Sequence, residues 1–132
     1  MSGPIRWGEA AFDRFDRAIQ TSTGVAQIVV RIGRQRTKAY LKPMGNRLGP
    51  HVLAAEWVGS QLASECGLST FDFGIMRVRA NDEIPLRGKA LAIAGRAFVS
   101  ILEPGHLWSG SMRGLQLLPN PDDVVRLIVF DT

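Results

Sequence analysis

The chain has 132 residues, a formal net charge of +4, and an ordinary globular composition with 45% hydrophobic and 21% charged residues. Its single cysteine excludes an intramolecular disulfide, and no apolar run reaches the roughly 18 residues that span a membrane. With no signal-peptide pattern at the start and no metal-ligand spacing, residues 1–132 are expected to form one cytoplasmic domain with no membrane partner and no bound metal.

Residues 5–20 carry apolar side chains at helical intervals, which predicts an amphipathic N-terminal helix that docks on a sheet. Its apolar side would hold Trp7, Ala11, Phe12, Phe15, Ala18 and Ile19.

A turn of small residues follows at Ser22, Thr23 and Gly24. Small residues let backbone N–H groups approach a phosphate, so this turn is a candidate cover for the phosphates of a nucleotide. A plain connecting turn is the alternative interpretation.

A β-hairpin is predicted next, with strands over residues 25–32 and 37–42 and a turn over residues 33–36. It carries four cations, Arg31, Arg34, Arg36 and Lys38. A basic β-ribbon can bind nucleic acid. Because Tyr40 is the only aromatic residue on this hairpin, a solvated edge guarded by charge is favoured, and nucleic acid is not an expected partner.

The helix after the hairpin is predicted to begin at Pro50 and to end before Gly67. On a 3.6-residue period, Glu56 falls in the middle of an apolar face formed by Val52, Ala55, Gly59, Leu62, Ala63 and Cys66. An unpaired buried carboxylate is costly, and Lys42 is the nearest candidate partner in sequence. A strand lysine paired with a helix glutamate holds ATP phosphates in protein kinases. A structural ion pair, or a glutamate that reaches solvent, is the alternative.

Residues 68–78 read as a strand that contains Asp72-Phe73-Gly74, the magnesium-binding tripeptide of kinases. That role is rejected, because the tripeptide follows Lys42 by only about thirty residues with no catalytic loop between them. Phe71 and Phe73 are instead assigned to packing within the strand. A surface excursion over residues 79–95 and a short strand over residues 97–102 complete the sheet.

The pattern Asn120-Pro121-Asp122-Asp123 predicts the start of a C-terminal helix. This helix is apolar around nearly its whole circumference, through Val124, Val125, Leu127, Ile128, Val129 and Phe130. Such a helix is normally buried in a larger core, so the chain is expected to be truncated there, and the helix is a candidate for self-association.

Several segments together resemble the HipA-like kinase family, which comprises serine/threonine protein-kinase relatives from bacterial toxin–antitoxin systems. The matching motifs are Tyr40-Leu41-Lys42-Pro43 with Gly45-Asn46 and Gly49-Pro50, Ala54-Ala55-Glu56 leading to Gly67-Leu68, Ala97-Phe98-Val99-Ser100, and the final helix from Pro119 to Thr132.

The resemblance implies an α+β fold, with a kinase N-lobe-like curled antiparallel sheet, a packed helix, and the N-terminal and C-terminal helices. Lys42 would reach the α- and β-phosphates of ATP, Glu56 would hold Lys42, and backbone groups near Ser100 and Glu103 would meet the adenine. In the family, a catalytic loop and a magnesium-binding aspartate follow the final helix, and the chain ends before them. No catalytic residue or metal ligand is therefore assigned in this chain.

The expected function is that of an ATP-binding N-lobe, incompetent for phosphoryl transfer unless a second kinase lobe completes it. The alternative is a non-catalytic interaction or regulatory module that pairs with a kinase lobe or an antitoxin-type partner.

Overall fold

The structure is a computed structural model that describes residues 4–19, 24–45, 49–86, 90–104 and 110–131. Within these residues the chain forms an α+β fold with one six-stranded sheet and three α-helices. The strands are β1 (Pro4–Ile5), β2 (Ala10–Ile19), β3 (Val25–Ile32), β4 (Gln35–Met44), β5 (Phe73–Val78) and β6 (Ile93–Ile101). The helices are α1 (His51–Glu65), α2 (Met112–Gln116) and α3 (Pro121–Asp131).

The strand order across the sheet is β1-β5-β6-β4-β3-β2. Strands β2 to β6 pair antiparallel with their neighbours, whereas β1 runs parallel to β5, so the sheet is mixed. The helix α1 follows β4, and β4 lies between β3 and β6. This order confirms the α+β class, whereas the parallel pairing of β1 with β5 departs from the antiparallel sheet that the resemblance implies.

The two faces of the sheet have different coverings. Leu41 lies opposite Ala26 in β3 and opposite Val99 in β6, and these residues belong to the larger apolar core. Chain between β5 and β6 covers that core, since its Ile84 and Leu86 are buried there. Side chains alternate along a strand, so the residue after Leu41 points to the opposite face, the one on which α1 packs.

The prediction of an N-terminal helix over residues 5–20 is wrong, because residues 10–19 form the edge strand β2. The register of β2 against β3 shifts between Phe12 and Arg14 and again between Phe15 and Arg17. Each shift is a β-bulge that adds one residue to β2. Phe12, Phe15 and Ala18 all pair with the core-facing side of β3, yet they recur every three residues. The bulges thus produced a spacing that imitates a helix.

Most of the other predicted elements are confirmed. The helix α1 has Pro50 at its N-cap and Cys66 at its C-cap, and Gly67 follows with a φ of 77° that favours glycine. Strand β3 and the C-terminal helix lie where the sequence placed them. Strand β4 runs from Gln35 to Met44, so it begins inside the predicted turn over residues 33–36, and β6 begins at Ile93, inside the predicted surface excursion. Strand β5 begins at Phe73, so that Phe71 precedes the strand and is exposed. In the described residues, no helix combines the length and apolar character needed to cross a membrane.

Candidate functional site

The structure brings together Lys42 of β4 and Glu56 of α1. Lys42 Nζ donates a hydrogen bond to Glu56 Oε1, and the two charges form an ion pair. The two side chains are 25% and 33% exposed, so the pair is half-buried. Lys42 lies opposite Phe98 of β6, on the face of the sheet that α1 covers. The pair therefore joins the central region of the sheet to the helix packed on it.

Glu56 does not lie within a buried apolar face as the sequence predicted. Leu53 is the buried residue of α1, and Trp57 packs beside it against Phe73. Leu62, from the predicted face, is 51% exposed. The pair Leu53 and Trp57, spaced by four residues, forms the packed side of α1, and Glu56 lies at its margin. At this margin the carboxylate reaches Lys42 while keeping part of its contact with water.

A cavity of about 490 Å³ adjoins the pair between α1 and the ends of β5 and β6. Glu56 and Ser100 line it, together with Phe73 and Phe98 and several hydroxyl groups of the neighbouring segments. Ser100 lies opposite Tyr40 of β4. Tyr40 and Lys42 are two residues apart on this strand, so their side chains lie on the same face. Lys42, Glu56 and Ser100 thus occupy one face of the molecule.

The other predicted site residues are dispersed. Gly24 precedes β3 with a φ of 64°, two residues before Ala26. A Cβ built there would lie 3.9 Å from Leu86 Cδ1, which belongs to the core on the opposite face of the sheet from Lys42. Ser22 and Thr23 lie outside the described residues. Glu103 is exposed beyond the end of β6 and does not join the cavity that Ser100 lines.

A polar network on the same face was missed at the level of sequence. Gln27 is buried in β3, where its Nε2 donates to Asp16 Oδ2 at 2.6 Å and its Oε1 accepts from Arg17 Nε at 3.3 Å. The hydrogen bond from Gln27, aided by Lys38 at 3.4 Å, lowers the pKa of Asp16. One polar residue inside the apolar run of β3 was the available signal.

The basic hairpin is partly neutralised by β2. Asp13 Oδ1 lies 3.3 Å from Arg36 Nε, and Asp16 forms an ion pair with Lys38. Asp13 and Asp16 are the residues that the two β-bulges insert into β2. The bulges therefore direct carboxylates at the cations, which weakens the hairpin as a binding surface for nucleic acid.

In the described part of the chain, no group of three or more histidine, cysteine or acidic side chains is arranged to hold a metal ion. Comparison with protein-family models, with curated proteins and with solved structures found no match to this chain. Function is therefore inferred from the geometry around Lys42 and Glu56.

Proposed function

We propose that the chain binds ATP on the α1 side of its sheet, as the N-terminal lobe of a HipA-like serine/threonine kinase. The observation that carries the proposal is the ion pair between Lys42 of a central strand and Glu56 of the helix that follows it. In protein kinases, a strand lysine held by a helix glutamate positions the phosphates of ATP. A half-buried ammonium in this position offers a fixed positive charge to a phosphate.

The order of the elements supports a direction for the nucleotide. Ser100 of β6 lies opposite Tyr40, two residues before Lys42 on the same strand face. With the phosphates at Lys42, the adenine would extend towards the end of β6.

Hydrogen bonds at the end of β6 limit which backbone groups could contact the adenine. The N–H groups of Ile101 and Leu102 donate to the carbonyl oxygens of Asp72 and Lys38, at 2.8 and 2.9 Å. In the proposal, the adenine therefore meets the backbone around Glu103. Phosphoryl transfer also needs a base and metal ligands, so the proposal for this chain covers nucleotide binding, with magnesium ligands from a second lobe.

Titration with Mg-ATP in a calorimeter tests the proposal, using the wild type, Lys42→Ala, and Lys38→Ala as the control. Lys38 lies on the same strand and also forms an ion pair, so the control removes the same charge from β4 while it breaks a more exposed contact. We expect the wild type to bind, Lys42→Ala to bind at least about tenfold more weakly, and Lys38→Ala to match the wild type. Absence of binding by the wild type, or equal binding by Lys42→Ala, contradicts the proposal.

A second candidate function is a non-catalytic module that pairs with a kinase lobe or an antitoxin-type partner. The observation that favours it is the apolar surface of α3, where Val125 is 64% and Val129 is 72% exposed. Exposed apolar patches mark sites of association. Light scattering after gel filtration distinguishes a monomer from an oligomer held through α3. The double substitution of Val125→Ser with Val129→Ser should dissociate such an oligomer. A wild-type monomer that binds no apolar dye contradicts this second function.

A further inference from the structure

A second cavity of about 560 Å³ lies between α1 and the N-terminal strand. It is on the opposite side of α1 from the cavity that Glu56 and Ser100 line. Its lining is mainly apolar and includes Trp7, Met44, Leu53, Trp57 and Ile75. We call this cavity the tryptophan groove. Trp7 is 54% exposed, although folded chains usually bury most of an indole. An open apolar groove with two indoles is a surface on which an apolar side chain gains contact area.

The rim of the tryptophan groove is cationic. Arg96 stacks over the indole of Trp7, with its guanidinium carbon 5.5 Å from the ring centroid. Arg77 lies directly opposite Arg96 in the β5–β6 register, and both are exposed. Among the described residues, no carboxylate lies within ion-pair distance of either guanidinium. Like charges directly opposite one another destabilise a sheet, so an anion bound between them would relieve this repulsion.

The cationic surface continues past Trp7 into a neighbouring cavity of about 450 Å³. Arg31, Arg77 and Arg79 line this cavity with one carboxylate, that of Asp82. Asp82 Oδ2 already accepts a hydrogen bond from the backbone N–H of Arg79. Trp7 lines both cavities, so an extended ligand can run from the apolar groove onto the arginines.

We propose that the tryptophan groove binds an acidic peptide segment of a partner protein. An aromatic or large aliphatic side chain of the segment enters between Trp7 and Trp57, and flanking carboxylates meet Arg96 and Arg77. The apolar interior accounts for the anchor, the arginines with no carboxylate partner among the described residues account for the carboxylates, and the two cavities that share Trp7 account for an extended chain. This proposal does not depend on ATP binding.

Fluorescence anisotropy with a fluorescein-labelled peptide containing Asp-Asp-Phe-Asp-Asp tests the proposal. Two comparison peptides replace the phenylalanine by alanine, or the aspartates by lysines. We expect the wild type to bind the first peptide at least about tenfold more tightly than either comparison peptide. We expect Arg96→Glu and Trp7→Ala to weaken binding at least about tenfold, whereas Arg34→Glu, the same charge change at the exposed hairpin turn, leaves it unchanged.

Arg96 and Trp7 are chosen because they are exposed, so their replacement leaves the core intact. Trp57 packs edge-on against Phe73 and would risk the fold. Failure of the wild type to bind the acidic peptide overturns the proposal, as does equal binding by Arg96→Glu. Tighter binding of a single-stranded oligonucleotide, or of N-acetylphenylalanine alone, overturns it in favour of a nucleic acid or a small aromatic acid.

Discussion

Replacing Glu56 by glutamine separates a structural ion pair from a functional one. Glutamine keeps the length of the side chain and a carbonyl oxygen that can accept from Lys42 Nζ, while it removes the negative charge. The change therefore tests the charge of Glu56 rather than its packing beside Trp57.

The expected loss of stability follows from the burial of the pair. Two unit charges 4 Å apart attract by about 4 kcal/mol at an effective dielectric constant of about 20, and desolvation offsets much of this. Exposed pairs contribute about 0.2–1 kcal/mol, whereas breaking a buried pair costs about 3–5 kcal/mol. Lys42 and Glu56 are 25% and 33% exposed, between these cases. We expect Glu56→Gln to lower the free energy of unfolding by about 1–2 kcal/mol.

Urea unfolding at neutral pH measures this loss as a lower midpoint with an unchanged slope. Asp13→Asn serves as the control, because it removes the more exposed pair with Arg36 and should cost at most about 0.5 kcal/mol. A loss above about 3 kcal/mol would contradict the expected range, since the pair would then behave as a fully buried structural bridge. A loss within the expected range, together with weaker Mg-ATP binding, would agree with a functional pair.

Two further predictions concern the stability of the fold at low pH and the packing of β1 at the edge of the sheet. The hydrogen bond from Gln27 lowers the pKa of Asp16, so ionised Asp16 stabilises the fold above the ordinary value of about 3.9, and this stability is lost as the pH falls through the lowered pKa. In Asp16→Asn, the urea unfolding midpoint should therefore decrease less as the pH falls below about 4. A pH dependence equal to that of the wild type would contradict this prediction. Gly74→Ala should cost about 1–3 kcal/mol in urea unfolding, because the new Cβ would lie 2.8 Å from Ile5 Cβ and 2.9 Å from Ile5 O. Its control, Gly59→Ala in α1, meets no atom within 4 Å and should gain up to about 1 kcal/mol, so equal effects at both glycines would contradict the packing of β1.

Local signals in the sequence were sufficient for the hairpin and for α1. β-branched residues marked β3, and Pro50 and Gly67 bounded the helix to within one residue at its start. The pairing of Lys42 with Glu56 was also predicted, but from a wrong premise, because Glu56 lies at the margin of the packed side of α1 and not in the middle of a buried apolar face.

The errors arose where tertiary structure changes a local period. The bulges of β2 convert the two-residue repeat of a strand into a three-residue repeat, and hydrophobic spacing alone does not separate that from a helix. On α1, two arcs carry apolar residues, and contact with Phe73 and Phe98 selects the arc that contains Leu53 and Trp57. Information about the neighbouring strands is needed to resolve either case.

The tryptophan groove is a product of the strand order. Trp7 precedes β2, Trp57 belongs to α1, and Arg96 belongs to β6, so only the folded sheet brings them together. The hydrophobic spacing of the sequence alone predicts Trp7 on the apolar side of a helix. Because β1 pairs with β5, Trp7 instead follows an edge strand and lies beside Arg96.

The helix α1 links the two proposed sites through consecutive residues. Glu56 lines the cavity beside Lys42, and Trp57 lines the tryptophan groove. One small apolar cluster around Leu53 and one half-buried ion pair hold α1 on the sheet among the described residues. Because both sites depend on the position of this helix, a ligand that shifts α1 in one site must alter the geometry of the other. Any such coupling is reciprocal, so the change in ATP affinity caused by the peptide must equal the change in peptide affinity caused by ATP.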